Sequence, residues 1–267
     1  MPSNLGYRFA AGLKGSKITL VGKDDAIFNF TTIQDAINNA QNGDSIYIEP
    51  GTYTVTTELS IAKPITLYGL GGIGDVVITS ALATRTAMLN MPASGPASAQ
   101  YFRFRNIKFA NSSTGDALEI DNDGGLAQAM YADFQDCSFV STSGVAVDLD
   151  HTTIAQDMFV NISGKKTLNF IGASNIAIDK AGSRVSIENM DCGVITLGSA
   201  AKAYVFNLFD CSYASQAQTV GGGAGALHNY IGNTYYTAAS QASVATAGVT
   251  LDFDATGTKY WASHSAV

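Results

Sequence analysis

The stretch Phe102–Ile120, FRFRNIKFANSSTGDALEI, aligns with Phe134–Leu149, FQDCSFVSTSGVAVDL, almost without gaps. Phe104 falls over Phe134, Ile107 over Cys137 and Phe109 over Phe139, each 30 residues apart. Gly115 falls over Gly144, Leu118 over Val147 and Ile120 over Leu149, each 29 apart, so one residue is lost in a turn. Looser copies follow at MDCGVITL (Met190–Leu197), LFDCSY (Leu208–Tyr213) and NYIGNTYY (Asn229–Tyr236). A period of this length belongs to solenoids. Each copy holds short strand patterns separated by Gly, Ser, Asn and Thr turns and cannot bury its apolar face alone, so the copies must stack. Stacking as parallel coils places like residues in ladders inside the fold.

The opening stretch is different. In FTTIQDAINNAQNGDSIYIEPGTYT (Phe30–Thr54), Ile33, Ala36, Ile37 and Ala40 recur at i, i+3, i+4 and i+7 and share one helix face. Thr32 is placed to cap the N-terminus, Asp35 favours its positive end, and Gly43 is placed for a left-handed residue after the C-terminus. Ile46 and Ile48 then alternate with Tyr47 and Glu49 as a strand, which Pro50-Gly51 ends. A first coil would expose strand edges and apolar interior, and a helix at about 32–41 supplies the lid.

These stretches, with ITLYGLGGIGDVVITS (Ile65–Ser80) and NIKFANSS (Asn106–Ser113), resemble the opening coils of the pectin lyase-like right-handed β-helix superfamily, nearest to pectin methylesterases and phage β-helix proteins. The resemblance implies an all-β, right-handed parallel β-helix with a short N-terminal capping helix. It implies no single activity, because the superfamily spans lyases, hydrolases, esterases, sugar binders and virion proteins. The expected organisation is a basic arm at 1–25, a β-helix domain at 26–240 and a closing segment at 241–267.

Composition narrows the functions. Charged residues make up 14% of the 267, against about 25% in an ordinary soluble protein. A weakly charged surface of this kind favours self-association or docking on a partner. The net charge is −7, but Arg8, Lys14, Lys17 and Lys23 stand without an acid in residues 1–23, leaving 11 basic against 22 acidic residues beyond them. The body therefore repels nucleic acid, and the four cations are expected to dock on an acidic neighbour. No secretory signal is visible, since Lys14 interrupts the apolar run after Arg8, and no span approaches the ~20 apolar residues of a membrane helix. Synthesis in a host cytoplasm is expected, with no encoded export. Three glycosylation triplets, at Asn29, Asn111 and Asn161, are then coincidental.

Apparent chemical motifs are read as structural. GLGGIG (Gly69–Gly74) satisfies a dinucleotide fingerprint, but DVVITS continues as strand where a phosphate-binding helix would have to start. Cys137, Cys192 and Cys211 each follow an Asp, without C-x-x-C spacing, and are expected at equivalent inward positions outside any disulfide, with Asp136, Asp191 and Asp210 in turns. Gln135-Asp136 resembles a Gln-Asp pair that pectin methylesterases use. The family's Asp-Phe-Ile-Phe-Gly and Gly-Arg-Pro-Trp runs have no counterpart, the single Trp261 lying in KYWAS. The densest acidic group, Asp116, Glu119, Asp121 and Asp123, is expected in a solvated turn. Asp121-Asn122-Asp123-Gly124 resembles part of a calcium loop, but Ala132 stands where its bidentate Glu belongs. His151, His228 and His264 share no metal or triad spacing.

The expectation is thus a non-enzymatic phage virion protein, a capsid decoration or cement subunit attached through its arm. Its partners would be itself, as a homotrimer, and the major capsid or another virion protein, with no catalytic residue, metal or cofactor. Alternatives are a tail spike that binds or cleaves host glycan, and a pectin-active esterase or lyase.

Overall fold

The computed structural model describes residues 18–24, 28–90, 100–121, 129–150, 158–165, 170–171, 176–178, 184–192, 195–197, 205–213, 227–235, 250–253 and 259–265. Its strands, numbered in chain order, wind three to a coil. The first face stacks β1 (Ile18–Val21), β2 (Ser45–Ile48), β5 (Thr66–Gly69), β8 (Gln100–Arg105), β11 (Met130–Gln135), β14 (Met158–Ser163), β17 (Arg184–Glu188), β20 (Val205–Phe209) and β22 (Leu227–Tyr235), all parallel. The second face stacks β3 (Gly51–Thr54), β6 (Val76–Ser80), β9 (Lys108–Asn111), β12 (Ser138–Ser141), β15 (Phe170–Ile171), β18 (Asp191–Cys192) and β21 (Ser212–Tyr213). The third stacks β4 (Leu59–Ile61), β7 (Arg85–Asn90), β10 (Asp116–Asp121), β13 (Val147–Asp150), β16 (Ile176–Ile178) and β19 (Ile195–Leu197). This is a right-handed parallel β-helix, the hand that parallel crossovers take almost without exception.

The ladders read from the repeat are the observed registers: Phe104 pairs with Phe134, Phe109 with Phe139, Leu118 with Val147 and Ile120 with Leu149. All eight are fully buried. The Phe104 and Phe134 rings stack at 4.6 Å and 10°, and Phe134 meets Phe139 edge-on at 5.3 Å and 80°. Offset stacking along the axis and edge contacts across it are the two arrangements the ring quadrupole favours.

The helix α1 (Ile33–Asn39) buries Ile33, Ala36 and Ile37 against the first coils. Thr32 is its N-cap, its hydroxyl accepting from the Asp35 N–H at 3.2 Å. Its C-terminus departs from expectation. The C-cap is Ala40 in extended conformation, and Gly43, at φ 90°, serves the following turn instead. The last carbonyls are held by Lys63, whose Nζ donates to Ile37 O, Asn38 O and Ala40 O at 3.1, 2.7 and 2.9 Å. One ammonium satisfies three acceptors and meets the negative end of the helix, so no left-handed glycine is required.

One further difference concerns the N-terminal end. The range expected as an arm contains β1, which pairs with β2 and buries Thr19 and Val21, so Lys23 lies on the folded body. Arg8, Lys14 and Lys17 lie outside the described residues. At the other end the parallel rule stops. β24 (Lys259–Ser265) runs antiparallel on β22, and β23 (Thr250–Phe253) antiparallel on β24. No helix among the described residues is long and apolar enough to cross a membrane.

Candidate functional site

Strict alternation on the first face sends every second side chain outward; β8, for example, buries Gln100, Phe102 and Phe104 and turns out Tyr101, Arg103 and Arg105. Stacking the coils turns these into columns. Tyr101, Tyr131 and Phe159 form an aromatic column with ring separations of 4.7 and 4.6 Å and interplanar angles of 13° and 4°, and the Arg184 guanidinium lies 5.4 Å from the Phe159 ring centre. The rings thus lie face to face with one another. Beside them runs a polar column, Arg103, Asp133, Asn161, Ser186 and Asn207. Asp133 accepts from Arg105 Nη2 at 2.5 Å and from Asn161 Nδ2 at 2.9 Å, and Asn207 Nδ2 donates to Ser186 Oγ at 3.1 Å. A groove of about 500 Å³ follows the two columns.

The third face carries the opposite charge. Asp116, Glu119 and Asp148 place one carboxylate oxygen each within 4.8 Å of the others. Arg85 bridges the group, bonding Glu119 through Nη1 and Glu58 through Nε, the latter at 2.6 Å. Asp116 Oδ1 accepts from the Val145 N–H at 2.6 Å. The oxygen spacing suits a hard cation, but Arg85 already supplies positive charge there. The solvated turn expected for this group is corrected: Asp116, Glu119 and Asp121 lie on β10, and Asp121 is buried. Asp123 lies outside the described residues. Each strand turns its charge toward the same face, which a one-dimensional count of acids does not show.

Burial raises the carboxyls of Asp116 and Glu119 above their ordinary values of 3.8 and 4.5, outweighing the opposing effects of the Val145 N–H on Asp116 and of Arg85 on both. Their stabilising contribution is therefore complete below the unfolded pKa values and is lost as pH rises through the folded ones. Asp116→Asn, which keeps an acceptor for Val145, should stabilise the protein relative to wild type increasingly as pH rises above about 4. Urea unfolding of both proteins at acidic and neutral pH checks this; a constant difference between them would refute it.

The remaining candidates are structural. Gln135 ends β11 exposed, whereas Asp136 occupies the next corner at φ 55° with Lys165 Nζ 4.0 Å away, so the pair does not converge. Asn106, Asn189 and Asp210 take the same left-handed corner in other coils, at φ 55°, 54° and 47°. Asn106 Nδ2 donates to Gly69 O and Asn189 Nδ2 to Gly164 O, at 3.1 and 3.0 Å. Asp136 and Asp210 are turn residues as expected; Asp191 is not, since it lies on β18.

The cysteines also divide. All three are buried and none forms a disulfide, but Cys192 pairs with Ile171 and Tyr213 in the Phe109–Phe139 column. Cys137 and Cys211 directly follow corner residues, the place held by Met190 in the coil before that of Cys211. The expected equivalence of all three is thus corrected. Gly71 and Gly74 have φ 94° and 83°, and β6 follows, as expected of corners. Asn111 is buried and Asn161 bonds Asp133. Side chains of Trp261, His151, His228 and His264 lie outside the described residues.

The Tyr101, Arg103 and Arg184 surface was not singled out from sequence, although YFRFR carries its signal in strict alternation. No protein-family model and no curated protein matches the chain. Among solved structures, it is similar to the rice weevil pectin methylesterase at 14% identity and TM-score 0.44, covering 76% of this chain and 66% of that one, just under two thirds of its length. A deglycosylated Aspergillus niger pectin methylesterase gives 17% and 0.44, with 86% and 88% covered. A pectin methylesterase mutant in complex with a hexasaccharide gives 13% and 0.40, with 91% and 84% covered. The architecture stands on the strand registers themselves, and these identities and scores assign no chemistry to this chain.

Proposed function

We propose that the protein is a non-enzymatic structural subunit of a phage virion, a decoration or cement protein that assembles with copies of itself and attaches to the shell through Arg8, Lys14 and Lys17. The observation that carries the reading is that outward side chains of the first face are engaged with one another. Rings cover rings, Asp133 is held by Arg105 and Asn161, and Gln135 and Asp136 diverge. A catalyst needs such groups converging on a reacting atom. The basic segment beside an acidic body supports attachment to an acidic lattice, and several arms acting together gain by avidity.

The test is removal of residues 1–17, which spares β1. The truncated protein should fold and self-associate as before but leave the particles, and higher salt should weaken attachment of the intact chain. Unchanged decoration by the truncated protein would refute the arm, and absence of the intact protein from virions would refute the assignment. A second reading, glycan binding, is favoured by the groove beside Tyr101, Arg103 and Arg184. Retention of host polysaccharide, lost on Arg103→Ala, would support it.

A further inference from the structure

We propose that the basic, aromatic first face of one copy docks against the acidic third face of a second copy, in side-by-side contact that closes into a ring. The two patches are complementary in charge. In a chain of net charge −7, the first face gathers Arg103, Arg105 and Arg184 against Asp133 and Glu188, while the third gathers Glu58, Asp116, Glu119 and Asp148 around one Arg85. They share one level: Arg103 and Arg105 on β8 and Asp116 and Glu119 on β10 belong to one coil, while Glu58 lies two coils before it and Arg184 three after. Arg184, farther along, lies over Phe159 in the preceding coil.

Level matters because unlike patches make a heterologous contact, which either closes on itself or runs on as a filament. Patches that share a coil can meet without displacement along the axis, which closure requires together with a rotation that returns to the first copy. The residue types fit as well. Tyr101, 51% exposed, is the exposed large hydrophobic side chain among the described residues, and Tyr and Arg are the types that anchor protein interfaces. A guanidinium from a neighbour would also offset the crowding of carboxylates around Arg85. This inference rests on the proposed self-assembly, but on no property of a particle.

The experiment is sedimentation velocity and native mass spectrometry of the full chain across concentration and salt. Wild type should form a salt-sensitive closed oligomer, a trimer on the functional reading above. Arg103→Glu and Glu119→Arg should each weaken it on the order of a hundredfold by placing like charges in contact, and the double variant should restore it. Circular dichroism establishes that each variant is folded. A monomeric wild type, single variants that associate normally, or a folded double variant that stays monomeric would each overturn the proposal. A monomer that loses polysaccharide binding on Arg103→Glu would also overturn it and give the face to a glycan. An oligomer that forms as described but never attaches to virions would leave this interface standing and remove the virion reading.

Discussion

Cys137→Asp is expected to cost roughly 4 kcal/mol or more, enough to leave little folded protein if the total stability lies in the usual range of about 5–15 kcal/mol. Cys137 is fully buried among apolar side chains, and burial pushes its thiol up to about 12. A carboxyl in that place meets the same medium and either stays protonated or brings in an uncompensated charge. Cys137→Ala removes one sulfur and should cost only about 1–2 kcal/mol. Denaturant midpoints of the two variants check this, and an Asp variant within about 1 kcal/mol of the Ala variant would contradict the interior placement.

The second large effect is expected at Gly144. Its backbone lies so close to the preceding coil that a Cβ would fall inside contact distance of the Gly115 carbonyl; a Cβ on Gly115 would likewise meet Thr84 O and Leu82 O. Ser141 Oγ fixes the corner, accepting from the Gly144 N–H and donating to Gly115 O, both at 2.8 Å. Gly144→Val must therefore separate two coils, and a loss of about 3 kcal/mol or more is expected, as for other severe overpacking. Gly43→Ala is the control. Gly43 has open space around its Cβ position and a positive φ, so only the left-handed backbone cost of about 1–2 kcal/mol applies. Equal losses at the two sites would show that close coil approach is not the cause at Gly144.

These cases show which features the sequence displays. Inward columns are written by alternation and by the near-constant length of two coils, which is why the sequence repeat sets Phe104 over Phe134. Coil length then falls: Phe134 pairs with Ile162, 28 residues on, Ile162 with Ile187, 25 on, and Ile187 with Leu208, 21 on. A fixed period drifts against a shrinking coil, so Asp-Cys at 191–192 resembles Asp-Cys at 136–137 in sequence although it sits two residues farther around. The Lys63 cap and the Glu58–Arg85–Glu119 bridge depend on residues brought together only by completing a turn of the solenoid. No local pattern encodes them. The charge contrast between faces was hidden for the same reason, because its members alternate along the chain with residues of other faces.

The corner occupied by Asn106, Asp136, Asn189 and Asp210 has one more implication, for the ancestry of such chains. Each marks the same point of its coil with the same backbone conformation, so a gene segment running from one corner to the next encodes a complete, interchangeable turn. Duplication or loss of that segment would leave the columns on both sides of the seam in register. The protein can thus lengthen or shorten by inheritance in whole turns, while the helix at one end and the antiparallel strands at the other keep their places.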